Sequence, residues 1–205
     1  MNGIDHRGEF FDGIASQWDG WHDLAAVAAQ LAAGIAKLGI GEAETVVDVG
    51  CGTGNLARAL VERLGEKGRV VALDISKGML EVARAKVQDP RIAWHPADAS
   101  SLPLGQGEAD RVVFLSVWPH IEDPAAAAAE AWRVLRPGGH AHVWHVSGRE
   151  QVNAVHSSGG PAIRNDLLAP ATDTSAVLAQ QGFEVTAVID ESDRYLVSAT
   201  KPHRR

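Results

Sequence analysis

The chain has 205 residues, 45% hydrophobic, 22% charged and 5% aromatic, the balance of an ordinary globular protein rather than a disordered or membrane-embedded one. Nineteen lysines and arginines against 26 aspartates and glutamates give a formal charge of −7, which argues against nucleic-acid or anionic-membrane partners and favours a neutral or cationic small molecule. Cys51 is the single cysteine, so an intramolecular disulfide and a cysteine-rich zinc site are excluded. No signal-peptide order and no apolar run of about 18 residues is present, and the expectation is one cytoplasmic domain. Nothing in the sequence fixes an oligomeric state.

Residues 1–22 are polar and glycine-punctuated, yet they carry Phe10, Phe11, Trp18 and Trp21, rings that some surface must cover. From Asp23, the three- and four-residue steps of Leu24, Val27, Leu31, Ile35 and Leu38 predict an amphipathic helix capped by Asp23 and stopped by Gly39. The near-continuous apolar runs 45–50, 69–74 and 109–116 read as parallel strands buried on both faces, and 91–96 adds a shorter one. Helical stripes at Leu56, Leu60 and Leu64, then at Met79, Val82, Ala83 and Val87, separate them. Asp123-Pro124 starts an alanine-rich helix running to Arg136, where Pro137-Gly138-Gly139 stops it, and 141–146 is the next strand. Residues 147–170 hold no sustained period and read as a loop-rich insertion. Thr172 or Asp173 opens a last helix that Gly182 closes. The runs 183–190 and 195–200, only four residues apart, can pair only antiparallel. Residues 201–205 read as a frayed, solvated end.

The chemistry concentrates where the first strand meets the first core helix. Asp48-Val49-Gly50-Cys51-Gly52-Thr53-Gly54-Asn55 places three glycines in a GxGxG spacing, so the backbone can bend sharply and a ligand can approach the free N–H groups of the helix start. Asp74 ends the second strand, where a carboxylate can accept from both hydroxyls of a ribose, and Asp98 follows the third, within reach of an exocyclic amine. A dinucleotide site uses GxGxxG, whereas the third glycine here comes one residue early. The acidic Asp48 beside the turn suits an ammonium or sulfonium better than a pyrophosphate.

DVGCGTGN, LDIS, ADAS, ADRVVFLSVWPHIEDP and AWRVLRPGG, in that order, resemble the successive motifs of class I S-adenosylmethionine-dependent methyltransferases of the small-molecule, methyltransferase domain 11-like type. The resemblance covers roughly residues 42–146. It implies an α/β, Rossmann-like three-layer α/β/α fold whose seven-stranded, mostly parallel sheet has its last strand antiparallel between the fifth and sixth. It also implies S-adenosylmethionine as cofactor, with S-adenosylhomocysteine as product. By that carry-over Asp48, Gly50, Cys51, Gly52, Gly54 and Asn55 cradle the methionyl part and Asp74 holds the ribose. Ile75 and Met79 flank adenine, Asp98 and Ala99 read its amine, and Leu115 lies near the methionyl end. Residues 1–22 then form a lid, with Trp18 either closing over the sulfonium or merely packing, 23–146 the cofactor core, 147–170 a substrate-side insertion and 171–205 the closing helix and hairpin.

Methyl transfer from a sulfonium is an in-line displacement, so alignment carries much of the catalysis and a base is needed only for a protonated nucleophile. His120, just after the fourth strand, and His145, near the carboxyl end of the fifth, are the catalytic candidates. His140 and His142 sit at the wrong end and read as hydrogen-bonded packing residues. Trp118, His156 and Arg164, with Arg149, are expected to meet the substrate, with Arg149, His156 and Arg164 suited to a carboxylate or phosphate on it, and no metal is assigned, although His120, His145 and His156 are free to converge. The alternatives are a non-catalytic cofactor sensor or partner module, and a fold relative using the same cofactor for another reaction.

Overall fold

The computed structural model describes residues 6–203. Seven strands lie in the order β3-β2-β1-β4-β5-β7-β6. β1 is Thr45–Val49, β2 Arg69–Asp74, β3 Ile92–Pro96, β4 Ala109–Leu115, β5 Leu135–His145, β6 Glu184–Asp190 and β7 Tyr195–Thr200. Pairing is parallel from β3 through β5, and only β7 runs against its two neighbours. The helices are α1 (His6–Trp18), α2 (Leu24–Leu38), α3 (Asn55–Arg63), α4 (Lys77–Lys86), α5 (Pro124–Val134), α6 (Arg149–Ser158) and α7 (Ala171–Gln180).

Alternation along the strands divides the core into two layers. Val47 and Val49 of β1, Val112 and Phe114 of β4, and Val143 of β5 pack with α5 and α7. Val46, Val70, Ala72, Val113 and Trp144 pack under α2, α3 and α4. Asp48 shares the parity of Val46 and therefore faces the second layer at the mouth of the sheet.

Local chemistry sets the ends of these elements. The Asp23 carboxylate accepts from the N–H groups of Ala25 and Ala26, and Gly39 ends α2 at φ 66°. Asp123 accepts from the Ala126 N–H with Pro124 at the first helical position. Several expectations need correction. Residues 6–18 form a helix, which their glycines and polar residues had hidden from a periodicity reading. α6 occupies 149–158, inside the stretch read as loop, because its buried side reduces to few residues and only His156 is fully covered. α7 starts at Ala171, after a Pro170 that takes the capping position. The frayed end is also not seen at Lys201: its ammonium is buried and donates to the carbonyls of Trp132 (2.6 Å) and Leu135 (2.7 Å), closing the end of α5. Arg204 and Arg205 lie outside the described residues.

α5 ends at Val134, short of the expected Arg136, and β5 begins at once at Leu135, so Pro137, Gly138 and Gly139 lie inside the strand instead of stopping the helix. Ala109 pairs with Leu135 but Arg111 already pairs with His140, so Arg136 to Gly139 bulge out of the ladder. Gly138, at φ 77°, donates to the carbonyl of Lys201.

Arg111 ties the amino edge of the sheet together. Its guanidinium grips Glu44 (2.9 and 3.1 Å) and donates to the carbonyls of Leu38 and Gly39 at the end of α2. Beside it His142 is held by Ser198 at 2.9 Å, while His140 meets Thr200. Both histidines therefore act as packing residues away from the cleft. Burial, and next the Arg111 charge, push His142 down to about 3.

Two outcomes follow from this packing. A Cβ on Gly34 would stand 2.1 Å from the Trp144 ring. Gly34→Leu should therefore lower thermal stability, the overpacking cost of about 1–3 kcal/mol exceeding the gain in helix propensity of just under about 1 kcal/mol. For His142 the unfolded chain takes up a proton below its ordinary value of 6.5 and the folded chain only near 3. Acid thus favours unfolding across that window, and denaturant titrations of His142→Gln should show a shallower loss of stability from pH 6.5 downward than the parent.

Candidate functional site

A cleft of about 880 Å³ opens at the carboxyl ends of the central strands, within the size range of small-molecule and cofactor sites. Its floor is the turn from β1 to α3. Gly50, Gly52 and Gly54 hold φ values of 68°, 52° and 81°, left-handed conformations that side chains resist. Close packing adds a second constraint at two of them: a Cβ on Gly50 would meet Val117 at 2.2 Å and one on Gly54 would meet Trp94 at 2.8 Å. Gly52 has open space above it.

Two acids flank that turn. Asp74 at the end of β2 accepts from the N–H groups of Gly52 (2.8 Å) and Ser76 (2.9 Å), so one oxygen pins the glycine turn to β2 and the other orders the start of α4. Each oxygen keeps a further lone pair. Asp48 is different: its side chain is 1% exposed, and neither carboxylate oxygen has a hydrogen-bond partner. Burial first, and the neighbouring Asp74 second, push it up to about 8, with the Ala57 N–H at the start of α3 opposing weakly. A buried, unpartnered acid bordering a cleft is suited to a cation entering that cleft.

The residues expected along an adenosyl group border the same space. Ile75, Met79, Asp98, Ala99 and Leu115 line the cleft along with the acids and the turn. Asp98 accepts from the N–H and hydroxyl of Ser100, which orders its loop. Ser116, directly after β4, has φ 54°, the one left-handed non-glycine among the described residues, and it too lines the cleft. Cys51 is buried with its thiol raised well above the usual value, first by burial and then by Asp48 and Asp74. It is a protonated packing group. The donor set therefore fits a ligand that combines a ribose with a cationic tail.

α1 lies across this cleft and is fastened at three points. Arg7 donates to both oxygens of Asp166 at 3.1 Å. Asp12 accepts from the Ser76 hydroxyl (2.6 Å) and the Gly78 N–H (2.8 Å) at the start of α4. Asp19, just past α1, takes the Lys86 ammonium at 2.6 Å and the Thr53 hydroxyl at 2.6 Å, with the Asn55 amide alongside. Asn55 thus borders the cleft while serving this junction. Trp18 lines the cleft and packs in a row with Phe11, Trp21 and His22.

The far wall carries imidazoles. His120, His145 and His156 all line the cleft, although no strand-and-helix spacing relates them. The His120 and His156 rings lie 4.7 Å apart, and Phe11 meets His120 edge-on at 5.1 Å. Burial lowers His120 despite its contact with Asp166, with His156 and Arg7 pushing the same way. His145 is 1% exposed, its Nε2 has no partner, and burial brings it down to about 3. Among the described residues no group of three or more His, Cys, Asp or Glu side chains is arranged to hold a metal ion.

Three substrate-side expectations are not met. Trp118 is buried in the core against Phe114, ring centroids 5.0 Å apart, because its 3₁₀ turn aims it inward. Arg149 pairs with Asp190 at 2.9 Å, and neither it nor Arg164 lines the cleft. Gly54 acts through its backbone at the start of α3 rather than by lining the cleft. Sequence reasoning missed Asp166 and Arg7, whose partners lie 46 and 159 residues away and leave no local signal.

The comparisons with known proteins agree with this geometry. Residues 47–143 match the family model described as "Methyltransferase domain". Malonyl-[acyl-carrier protein] O-methyltransferase of Hahella chejuensis is 42% identical over 96 residues, covering 47% of this chain and 34% of that protein. A ubiquinone/menaquinone biosynthesis C-methyltransferase of Desulfotalea psychrophila is 35% identical over 105 residues, covering 51% and 42%. The chain thus aligns with less than half the length of these curated relatives. A crystal structure of a SAM-dependent methyltransferase from Aquifex aeolicus superposes with a TM-score of 0.69 at 22% identity, covering 87% of this chain and 89% of that one. That family model runs from β1 to β5, and with the antiparallel β7 closing the sheet the chain shares the fold of S-adenosylmethionine-dependent methyltransferases and resembles them in sequence over that core.

Proposed function

We propose that the protein transfers the methyl group of S-adenosylmethionine to a small, uncharged acceptor. The observation that carries the reading is Asp48, a buried carboxylate without a hydrogen-bond partner beside three left-handed glycines, with Asp74 at the end of the next strand. In this reading Asp48 faces the cationic methionyl end, Asp74 takes the ribose hydroxyls, Ile75 and Met79 flank the adenine, and Asp98 with Ala99 reads its edge. When bound, the cofactor supplies an electrophilic methyl on sulfur. The chain's own residues align the acceptor, exclude water through α1 and Trp18, and take up a proton at an imidazole.

The acceptor's class follows from the lining. Arg7 is the single lysine or arginine bordering the cleft among the described residues, and Asp166 already holds it. Asp48, Asp74, Asp98 and Glu122 border the same space, so an anionic acceptor would meet repulsion without a counter-ion. Burial keeps His120 and His145 neutral near pH 7, but His145, brought down to about 3, resists taking a proton, which leaves His120 as the acceptor for a proton from a weakly acidic O–H or N–H. The Hahella and Desulfotalea relatives are named as O- and C-methyltransferases, which supports methyl transfer as the reaction class and leaves the acceptor to be found by turnover of labelled cofactor against a metabolite panel.

Two measurements test the cofactor assignment. Calorimetry should show S-adenosylhomocysteine binding that Asp74→Ala weakens at least tenfold, about 1.4 kcal/mol. Unchanged affinity in that variant would remove Asp74 from the site. Asp48 holds its proton up to about 8 when empty, against 3.8 ordinarily, so a cation arriving beside it near pH 7 should displace that proton. Calorimetry of S-adenosylmethionine in buffers of different ionisation enthalpy should register proton release, and Asp48→Asn should abolish it.

A further inference from the structure

We infer that Asp166 is a positioning residue that sets the tautomers of two cleft imidazoles, His120 through its carboxylate and His156 through its backbone carbonyl, and that Arg7 couples this arrangement to the seating of α1. The inference rests on the methyltransferase reading and assigns its proton acceptor.

The geometry is specific. The Asp166 Oδ2 lies 2.9 Å from His120 Nδ1, and a carboxylate only accepts, so Nδ1 carries the proton and Nε2 keeps its lone pair. His156 Nδ1 hydrogen-bonds the Asp166 backbone oxygen, also an acceptor only, so His156 is held in the same tautomer. One residue therefore orients two rings, 4.7 Å apart, each with Nδ1 engaged and Nε2 left to the other side, on the wall of the cleft. Asp166 is 7% exposed and remains charged: burial opposes the charge, but the hydrogen bonds from Arg7 and His120 outweigh it.

The groups facing His120 come from four elements: Arg7 and Phe11 on α1, His145 at the end of β5, His156 on α6, and Asp166 beyond it. Transfer then balances as follows. The acceptor oxygen or nitrogen forms its bond to the methyl carbon as the carbon–sulfur bond breaks, the electron pair stays on sulfur as a neutral thioether, and the acceptor's proton passes to His120 Nε2. The positive charge lost from sulfur reappears on an imidazolium beside the Asp166 carboxylate, the charge arrangement that this pair stabilises. Because Arg7 occupies both oxygens of that carboxylate, lifting α1 away also loosens the orientation of the base.

Nitrogen-15 imidazole NMR on the whole chain reads the tautomers directly. In the parent, His120 and His156 should both be Nδ1-protonated at pH 8. In Asp166→Ala the Nδ1–H share of His120 should fall at least twofold and its titration midpoint should move to lower pH, while His156, bound to the retained backbone carbonyl, stays unchanged. If the alanine variant disturbs both rings, Asp166→Asn decides: it keeps the shape and removes the charge, and must still lower the His120 midpoint. An unchanged His120 tautomer and midpoint in both variants overturns the inference. Arg7→Met should speed amide exchange in α1 at least tenfold, and unchanged exchange refutes the coupling. Failure of the parent to bind S-adenosylhomocysteine in calorimetry would instead overturn the methyltransferase reading and leave the tautomer result standing.

Discussion

A carboxyl group held out of water at the end of β1 is the constraint around which this cleft is arranged. Removing a carboxylate from solvent costs several kcal/mol in an effective sense, and chains ordinarily recover that cost with hydrogen bonds or a counter-ion. Asp48 has neither. Its parity on the strand sends it into the layer beneath α3, the next strand brings Asp74 close, and the glycine turn passes between them. The site keeps Asp48 uncharged while empty and leaves the arrival of a cation as the event that restores its charge. In the proposed reading, stability given up at this one position is recovered when a cationic ligand binds.

The lid is the second consequence. α1 has little apolar periodicity, and its attachment depends on polar contacts that reach distant parts of the chain: Arg7 to Asp166, Asp12 to the start of α4, Asp19 to Lys86 and the glycine turn. Each latch lands on a group that also shapes the cleft. Ser76 is ordered by Asp74, Thr53 and Asn55 belong to the cofactor turn, and Asp166 faces His120. Partly buried ion pairs are weaker and more reversible than apolar packing, which suits the lid role proposed for α1. The aromatic row of Phe11, Trp18 and Trp21 supplies the water-excluding surface that the polar latches do not.

Electrostatics separate the two ends of the cleft. Around the glycine turn stand Asp48, Asp74 and Asp98, which favour a cation and repel anions. At the other end burial holds His120 and His145 neutral, and the nearest guanidinium is paired with Asp166. In the proposed reading, a field of this shape holds a positively charged donor and admits an uncharged acceptor, with no unpaired positive charge beside the cleft to repel the sulfonium.

The amino-acid sequence by itself determined the strands, their parallel order up to β5, the closing hairpin and the acids at the strand ends, because each leaves a local trace: β-branched runs, helical stripes, a glycine spacing, a four-residue connection. Asp48, Asp74 and the three glycines were legible for the same reason. α1 and α6 were not, since their covered sides are narrow and their burial comes from partners far along the chain. Only the tertiary structure decided that Asp48 stands without a partner, that Trp118 turns inward, that Lys201 is buried, and that His120, His156, Asp166 and Arg7 form one group. Contacts across 46 and 159 residues depend on how layers stack, and stacking has no period in the sequence from which it could be read.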